Sequence, residues 1–282
     1  MTRPPAALVV AAPAKVNLFL HVTGRRADGY HTLETAFALI DWCDTIELTR
    51  RDDGAIVRAR DLPAIAEADD LTLRAARALK SASGSPYGVT IDVEKRIPQG
   101  AGLGGGSADA ASVLLALNRL WSLARPRAEL AAIGATLGAD VPFFIGAGPA
   151  LARGIGDVLT PLSMPTCWLA LAIPPVHVST QAIFASLQLT RAAASTKINV
   201  FSEGYGRNDL EAIAVSGFPA VAGAVDALRR SSPNARMTGS GGCAFAAFAS
   251  ERDARRAMAA IPPNIAGRVV RTLARHPLAD FA

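Results

Sequence analysis

The sequence predicts an α+β protein built of two lobes. Strand-like and helix-like segments both occur along the 282 residues, but they do not alternate strictly as strand, helix and strand, which a parallel sheet with crossover helices would require. Half of the residues are hydrophobic and 19% are charged, so the chain can bury a sizeable core. Four glycines within residues 146–156 predict a turn between strands near a domain boundary. We therefore expect an N-terminal lobe over 1–160 and a C-terminal lobe over 161–282.

The elements of the first half follow from local patterns. Residues 6–22 predict a strand that breaks at Pro13, because apolar and polar residues alternate after it. In chain order, the patterns next predict a turn over 25–30, strands over 33–48 and 57–59, a helix over 71–79 and a strand over 89–93. Two helices, 109–120 and 127–137, complete this half.

The second half is predicted with fewer elements. After the turn over 146–156, an apolar strand over 168–173 ends at two prolines. The remaining patterns predict helices over 180–189 and 208–230, a glycine turn over 239–242 and a strand over 245–248.

Composition and charge exclude several classes of protein. The net charge of +5 is carried almost entirely by arginine, and it suits anionic ligands such as phosphates. Nucleic-acid binding is disfavoured, because no dense basic run with interleaved aromatic residues is present. The three cysteines lie far apart and form no metal-type spacing, which favours reduced thiols in the cytoplasm.

The stretch after Arg3 resembles a short signal peptide, but we interpret it as the first strand. No apolar run reaches the ~18 residues that a membrane span needs, so we expect a soluble protein.

The most unusual stretch is Pro98 to Ala108, PQGAGLGGGSA, which joins a predicted strand to a predicted helix. Glycines allow the backbone to approach a ligand closely, so that successive N–H groups can converge on one anion. The following helix adds free N–H groups and the positive end of its dipole. A flexible turn that binds nothing is the plainer alternative. We therefore predict a phosphate-binding loop made of Pro98, Gln99, Gly100, Ala101, Gly102, Leu103, Gly104, Gly105, Gly106, Ser107 and Ala108.

The loop fits neither of two common phosphate sites. A Walker A loop requires a lysine directly after a glycine, and no lysine here has that place. Gly100, Gly102 and Gly105 match the dinucleotide spacing GxGxxG. That fingerprint requires a second strand after the helix, whereas a helical pattern follows Leu120.

Five ordered motifs resemble the GHMP kinases, the superfamily of galactokinase, homoserine kinase and mevalonate kinase. The loop Pro98 to Ala108 resembles their phosphate loop, and segments 13–18 (PAKVNL) and 238–245 (TGSGGCAF) resemble their first and third motifs. Segments 28–31 (DGYH) and 138–144 (GADVPFF) are similar to one branch of the superfamily. That branch phosphorylates the 2-hydroxyl of 4-(cytidine 5′-diphospho)-2-C-methyl-D-erythritol in the non-mevalonate isoprenoid pathway. The match runs from about residue 13 to about residue 248 and includes Asn208 to Glu211.

The resemblance implies a fold and a set of partners. The N-terminal lobe would resemble ribosomal protein S5 domain 2, and the C-terminal lobe would be a ferredoxin-like sandwich. ATP, carried with Mg²⁺, would lie on the glycine loop, and a cytidine-diphospho sugar alcohol would lie between the lobes. The expected partners are thus two small molecules, with neither nucleic acid nor membrane, and a homodimer is compatible with this expectation.

The resemblance also implies the roles of single residues. Lys15 and Asp140 match the family's catalytic pair, in which the carboxylate handles the proton of the attacking hydroxyl and the ammonium stabilises charge on the transferring phosphoryl group. Without the motifs, Lys15 would be read as an exposed lysine and Asp140 as a turn cap. The substrate-binding residues implied by the resemblance are Asn17, Tyr30, His31, Thr180 and Phe184, with the three aromatic residues at the cytosine.

Two alternatives remain open at this point. Another GHMP kinase, acting on homoserine or mevalonate, would not need the aromatic residues Tyr30, His31 and Phe184. A non-catalytic module that senses ATP would not need both Lys15 and Asp140.

Overall fold

A computed structural model describes residues 6–62, 65–186 and 206–282. The N-terminal part contains strands β1 (Ala7–Arg25), β2 (His31–Arg51), β3 (Ile56–Arg58), β4 (Gly88–Glu94), β5 (Ala150–Arg153) and β6 (Val158–Pro161). Its helices are α1 (Leu71–Ser83), α2 (Gly105–Leu120), α3 (Arg127–Ala135) and α4 (Val141–Ile145), with a short 3-10 helix at Glu67–Asp69. The C-terminal part contains β7 (Trp168–Ile173), α5 (Thr180–Ala185), α6 (Glu211–Gly217), α7 (Pro219–Arg229), β8 (Arg236–Met237), β9 (Ala244–Phe248), α8 (Glu251–Ala259) and β10 (Ala266–Leu273).

The long antiparallel hairpin of β1 and β2 organises the first lobe. β2 also pairs with β4 and β5, and helices α1, α2 and α4 cover one face of this sheet. Contrary to expectation, β1 does not break at Pro13. The pairing shifts register between Pro13 and Lys15 and again between Asn17 and Phe19. Such bulges absorb an extra residue and redirect side chains, so the strand continues through the proline and the segment Lys15–Asn17 lies between two irregularities.

The described strands of the second lobe have the sheet order β10-β7-β9-β8, all antiparallel. Numbered within the lobe, this is the order 4-1-3-2 of a β-α-β-β-α-β unit, which is the ferredoxin-like arrangement that was expected. Helices α6, α7 and α8 pack on one face around Val221, Val225 and Leu228.

The two lobes share one sheet through the end of the chain. Thr272 and Leu273 of β10 pair with Ile40 and Leu39 of β2. The residues after β10 then return to the first lobe, where Leu278 is buried in the hydrophobic core. We propose that the chain divides into its lobes near residue 160, with this C-terminal segment as the tie between them.

Several boundaries differ from the sequence-based expectation. The predicted helix over 208–230 is two helices, because Pro219 starts a new one after Phe218. The segment 146–156 is not only a turn, since its middle, Ala150–Arg153, forms β5. No local sequence pattern predicted α4, α8, β6, β8 or β10. The predicted helix over 180–189 ends at Ala185, and residues 187–189 lie outside the described residues. Within the described ranges, no helix is both long and apolar enough to span a bilayer.

A buried histidine should make stability depend on pH. The side chain of His276 is 2% exposed, and its Nδ1 accepts a hydrogen bond from the backbone N–H of Leu278 at 2.9 Å. Burial, reinforced by Arg127, lowers the pKa of His276 to about 4. In the unfolded chain, the pKa of histidine is about 6.5. The folded state gains its full stabilisation from the neutral His276 ring above that pH, and this contribution to the free energy of unfolding is lost as the pH falls toward 4. Between pH 8 and pH 5, we expect the wild-type protein to lose about 2 kcal/mol more stability than His276→Gln. Urea unfolding at both pH values measures this difference, and equal losses would contradict it.

Candidate active site

Lys15 is held at the centre of the molecule by strand β1. Its side chain is 5% exposed, its Nζ donates to Asn17 Oδ1 at 2.5 Å, and it lies 3.6 Å from Asp140 Oδ2. The backbone N–H of Lys15 donates to Leu103 O of the glycine loop at 2.9 Å. The structure thus places the predicted lysine in the interior, where an ammonium requires a partner.

Asp140 does not act as the turn cap that its sequence position suggests. It occupies the N-cap position of α4, yet its side chain makes no capping hydrogen bond. The carboxylate instead faces Lys15 and is 33% exposed to the cavity. This orientation leaves an oxygen accessible to a ligand.

Asn17 has both ends of its amide engaged. Its Oδ1 accepts from Lys15, its Nδ2 donates to Thr35 Oγ1 at 2.9 Å, and its backbone N–H donates to Thr238 Oγ1 at 2.7 Å. The side chain lines the cavity, but its hydrogen bonds position Lys15. The expected contact of Asn17 with substrate stays a prediction.

The glycine loop packs against the later glycine turn, backbone to backbone. A Cβ on Gly102 would lie 2.8 Å from Thr238 O, and one on Gly241 would lie 2.3 Å from Gly102 N. Both segments need glycine because no side chain fits between them. Asn208 holds the later turn from its other side, since its Nδ2 donates to Met237 O at 2.9 Å and to Gly239 O at 2.7 Å. The motif from Asn208 to Glu211 therefore supports the site from behind.

Helix α2 begins earlier than the sequence indicated. It starts at Gly105 rather than Asp109, and Gly104 precedes it with the left-handed φ of 72°. Gly105, Gly106 and Ser107 therefore form the first helical turn, whose N–H groups have no partner within the helix. The phosphate loop and the start of the helix are one structure.

Two cavities meet at this loop. The larger, about 890 Å³, extends from Lys15 and Asp140 toward His31 and Phe184. The smaller, about 460 Å³, lies on the other side of the loop and reaches Asp70 and Lys95. The residues that line both cavities are Gly102, Gly104 and Ser107. A group bound on the loop could thus be reached from both sides.

The aromatic residues lie at the far end of the larger cavity. His31 stacks on Phe184 with ring centroids 5.6 Å apart and an interplanar angle of 25°. Burial and, to a smaller extent, the guanidinium of Arg25 lower the pKa of His31, which favours the neutral ring. Tyr30 stands at the rim with 64% of its surface exposed. The three residues come together as expected, but it is His31 that contacts Phe184.

Three further features of the cavities were not predicted from the sequence. Ser240 Oγ lies 2.6 Å from Thr180 Oγ1, which connects the predicted Thr180 to the later glycine turn. Arg25 lines the larger cavity beside the aromatic residues. Lys95 lies just before the glycine loop and pairs at 2.6 Å with Asp109, which follows the loop, so this ion pair joins the two ends of the loop. Lys95 also pairs with Asp44 on β2. The pattern 238–242 was the one available signal for Ser240, whereas Lys95 and Arg25 belong to no recognisable motif.

The conformation of Gly104 leads to a test of the loop. An added Cβ would lie 2.9 Å from Phe144 Cζ and 3.2 Å from Lys15 Cε. We expect Gly104→Ala to lower kcat/KM by ~100-fold, since small displacements of reacting groups have effects of this order. The matched control is Gly84→Ala at the end of α1, where φ is 67° and nothing lies within 4 Å. In both variants, the left-handed backbone conformation should lower the free energy of unfolding by ~1–2 kcal/mol, because the new Cβ strains it. Equal activity of the two variants would contradict the packing of the loop on Lys15.

Comparison with known proteins places the chain in a family. Residues 70–148 match the model of the GHMP kinases N terminal domain, and residues 192–264 match that of the GHMP kinases C terminal domain. The chain is 51% identical to a 4-diphosphocytidyl-2-C-methyl-D-erythritol kinase of Cupriavidus metallidurans, covering 99% of this chain and 97% of the relative. It is 52% identical to a protein of the same name from Thiobacillus denitrificans, covering 96% and 97%.

Solved structures agree with this assignment. A crystal structure of 4-(cytidine 5′-diphospho)-2C-methyl-D-erythritol kinase superposes with a TM-score of 0.82 at 35% identity, covering 94% of this chain and 99% of that one. A homoserine kinase from Cytophaga hutchinsonii shares the fold at a TM-score of 0.70 and 17% identity, covering 98% and 97%. The expected two-lobed fold is confirmed, and the chain belongs to the GHMP kinases and, within them, to the 4-diphosphocytidyl-2-C-methyl-D-erythritol kinases.

Proposed function

We propose that this chain transfers the terminal phosphoryl group of ATP to the 2-hydroxyl of 4-(cytidine 5′-diphospho)-2-C-methyl-D-erythritol, in the non-mevalonate pathway to isoprenoid precursors. The names of relatives about half identical over nearly the whole chain support this activity. The observation that carries the proposal is the Lys15–Asp140 pair, which lies where the larger cavity reaches the glycine loop.

ATP would bind with its phosphates on the loop and its nucleoside in the smaller cavity. The loop from Pro98 to Ala108 offers backbone N–H groups, and the first turn of α2 adds the positive end of a helix dipole. Because Gly102, Gly104 and Ser107 line both cavities, a terminal phosphate on the loop would face the larger cavity.

Mg²⁺ would arrive with the nucleotide. This ion prefers oxygen ligands and is usually held by substrate phosphates with one or two protein groups. The Ser107 hydroxyl and the partly exposed Asp140 carboxylate both line the larger cavity and fit that role. The described residues contain no group of three or more His, Cys, Asp and Glu side chains suited to a metal ion, which fits a metal held mainly by ATP. When bound, the ion would neutralise charge on the phosphates.

The transfer itself requires little more than position and charge. The 2-hydroxyl oxygen forms a bond to the terminal phosphorus while the bond between that phosphorus and the oxygen of ADP breaks. The hydroxyl proton passes to Asp140, and the Lys15 ammonium stabilises negative charge on the phosphoryl oxygens. The Lys15 side chain is only 5% exposed, so its charge acts more strongly there than it would in water.

The cytidine would occupy the aromatic end of the larger cavity. His31 and Phe184 already form a stack, and Tyr30 at the rim can cover a base that is placed against them. Thr180 and Ser240 lie nearby on the same cavity and offer hydroxyl groups to the sugar or the diphosphate.

A substrate panel tests the proposal. ADP release should be measured with ATP and, in turn, the cytidylylated methylerythritol, methylerythritol 4-phosphate, homoserine and mevalonate. We expect turnover with the cytidylylated compound, and a kcat/KM at least ~100-fold lower with each of the others. Preference for homoserine or mevalonate would assign a different GHMP kinase activity, and ATP binding without transfer would favour a nucleotide sensor.

A further inference from the structure

We infer that Thr35, on β2, is a positioning residue that sets the orientation of the Asn17 amide and through it the place of the Lys15 ammonium. This inference rests on the proposed function. Thr35 is fully buried, and it is a member of none of the motifs described above.

The Thr35 hydroxyl can donate to only one of its two hydrogen-bond partners. A hydroxyl carries a single proton, and Thr35 Oγ1 lies 2.5 Å from the carbonyl oxygen of Phe19, which can only accept. The Thr35 proton is therefore directed at Phe19 O. Toward Asn17, at 2.9 Å, the same oxygen can only accept.

This direction settles the orientation of the Asn17 amide. Because Thr35 accepts, the amide group must turn its NH₂ toward β2 and its oxygen toward Lys15 Nζ, 2.5 Å away. The opposite orientation would point N–H groups at the ammonium. The Thr35 hydroxyl thus excludes it, although Thr35 itself does not contact Lys15.

The backbone supports the same arrangement. Between the two shifts of register, Lys15–Asn17 pairs regularly with Leu39, Ala38 and Phe37 of β2, which fixes the main chain of this segment. Thr238 Oγ1 accepts from the backbone N–H of Asn17 and holds the main chain. Two described contacts determine the orientation of the amide, the Lys15 ammonium at its oxygen and Thr35 at its NH₂, and Thr35 is the one that holds the amide from the side of β2.

The test is a set of variants with matched controls. Thr35→Val keeps the shape and removes the hydroxyl, whereas Thr35→Ser keeps the hydroxyl. Thr272→Val removes another buried strand hydroxyl, which accepts from Cys167 N at 2.8 Å and lines neither cavity. For each variant, kcat and KM for both substrates are measured with the cytidylylated compound and ATP.

We expect Thr35→Val to lower kcat by ~10- to 100-fold, the range for a displaced charge-stabilising group, with each KM within ~3-fold of wild type. Thr35→Ser should recover kcat to within ~3-fold, and Thr272→Val should keep wild-type kcat. In an Asn17→Ala background, Thr35→Val should lower kcat by less than ~2-fold further, because the amide that it orients is gone.

Three results would overturn the inference: an unchanged kcat in Thr35→Val, an equal loss in Thr272→Val, or the full loss repeated in the Asn17→Ala background. If Thr35→Val does not fold, Thr35→Cys serves instead, because a thiol is a weaker acceptor; its kcat should lie clearly below that of Thr35→Ser, and equality would count against the inference. Inactivity of the wild-type protein toward the cytidylylated compound would reject the proposed function. When the wild-type protein is active, the kcat of each variant relative to wild type tests the role of Thr35.

Discussion

Removing either member of the Lys15–Asp140 pair should lower kcat by ~100-fold or more, which is the usual effect of losing a proton-transfer or charge-stabilising group. The appropriate variants are Lys15→Met and Asp140→Asn, because both keep the approximate size of the side chain. Since the two groups lie 3.6 Å apart and serve the same transfer, the double variant should be little worse than the worse single one.

The measurement is kcat for the wild type, both single variants and the double variant. Arg255→Met is a suitable control, because Arg255 pairs with Glu251 on the outer face of α8 and should leave kcat unchanged. If the two losses multiply in the double variant, Lys15 and Asp140 act separately and the proposed unit is wrong.

The second large effect concerns the cytidine, which is remote from the reacting hydroxyl. Binding energy from such a group can raise turnover when it improves the position of the reacting atoms. Stacking on an aromatic side chain contributes ~1–3 kcal/mol per base. We therefore expect Phe184→Ala, which removes the partner of His31, to lower kcat/KM for the cytidylylated substrate by ~10- to 100-fold. Tyr30→Ala should act in the same direction.

Methylerythritol 4-phosphate, which lacks the cytidylyl group, gives the internal control. It should be a poor substrate in both kcat and KM, and Tyr30→Ala and Phe184→Ala should hardly change its kcat/KM further. Equal losses on both substrates would show that the aromatic residues serve the fold rather than the base.

The sequence was most informative where function is carried by short contiguous motifs. The segment with Lys15 and Asn17, the loop from Pro98 and the segment with Asp140 were each identifiable, and the structure brings them together as expected. Glycine was the clearest local signal, because Gly102 and Gly241 allow two backbones to meet where a Cβ could not fit.

Long-range contacts were beyond the sequence. Thr35 and Lys95 acquire their importance from partners on other strands and helices, and no local pattern marks such pairings. The same holds for β10, whose alignment against β7 and β2 depends on the whole second lobe. Asp140 shows the converse case, since its local position suggests a cap and only the neighbouring Lys15 explains its orientation.

The role of Asp70 also became clear only in three dimensions. Asp70 accepts the capping hydrogen bond from Thr72 N at the start of α1 at 2.8 Å and pairs with Arg58 at 2.7 Å. These contacts occupy both of its carboxylate oxygens, so this aspartate stabilises the wall of the smaller cavity.

The most direct test of the account is to locate the new phosphate on the product. Wild-type protein, ATP and the cytidylylated methylerythritol should be followed by ³¹P nuclear magnetic resonance, with the phosphorylated carbon identified from its coupling to phosphorus. We expect one new phosphomonoester on the 2-hydroxyl, an intact diphosphate and one ADP per product. A phosphate on another hydroxyl, or ADP formed without a new ester, would contradict the placement of the substrate between Asp140 and the aromatic residues.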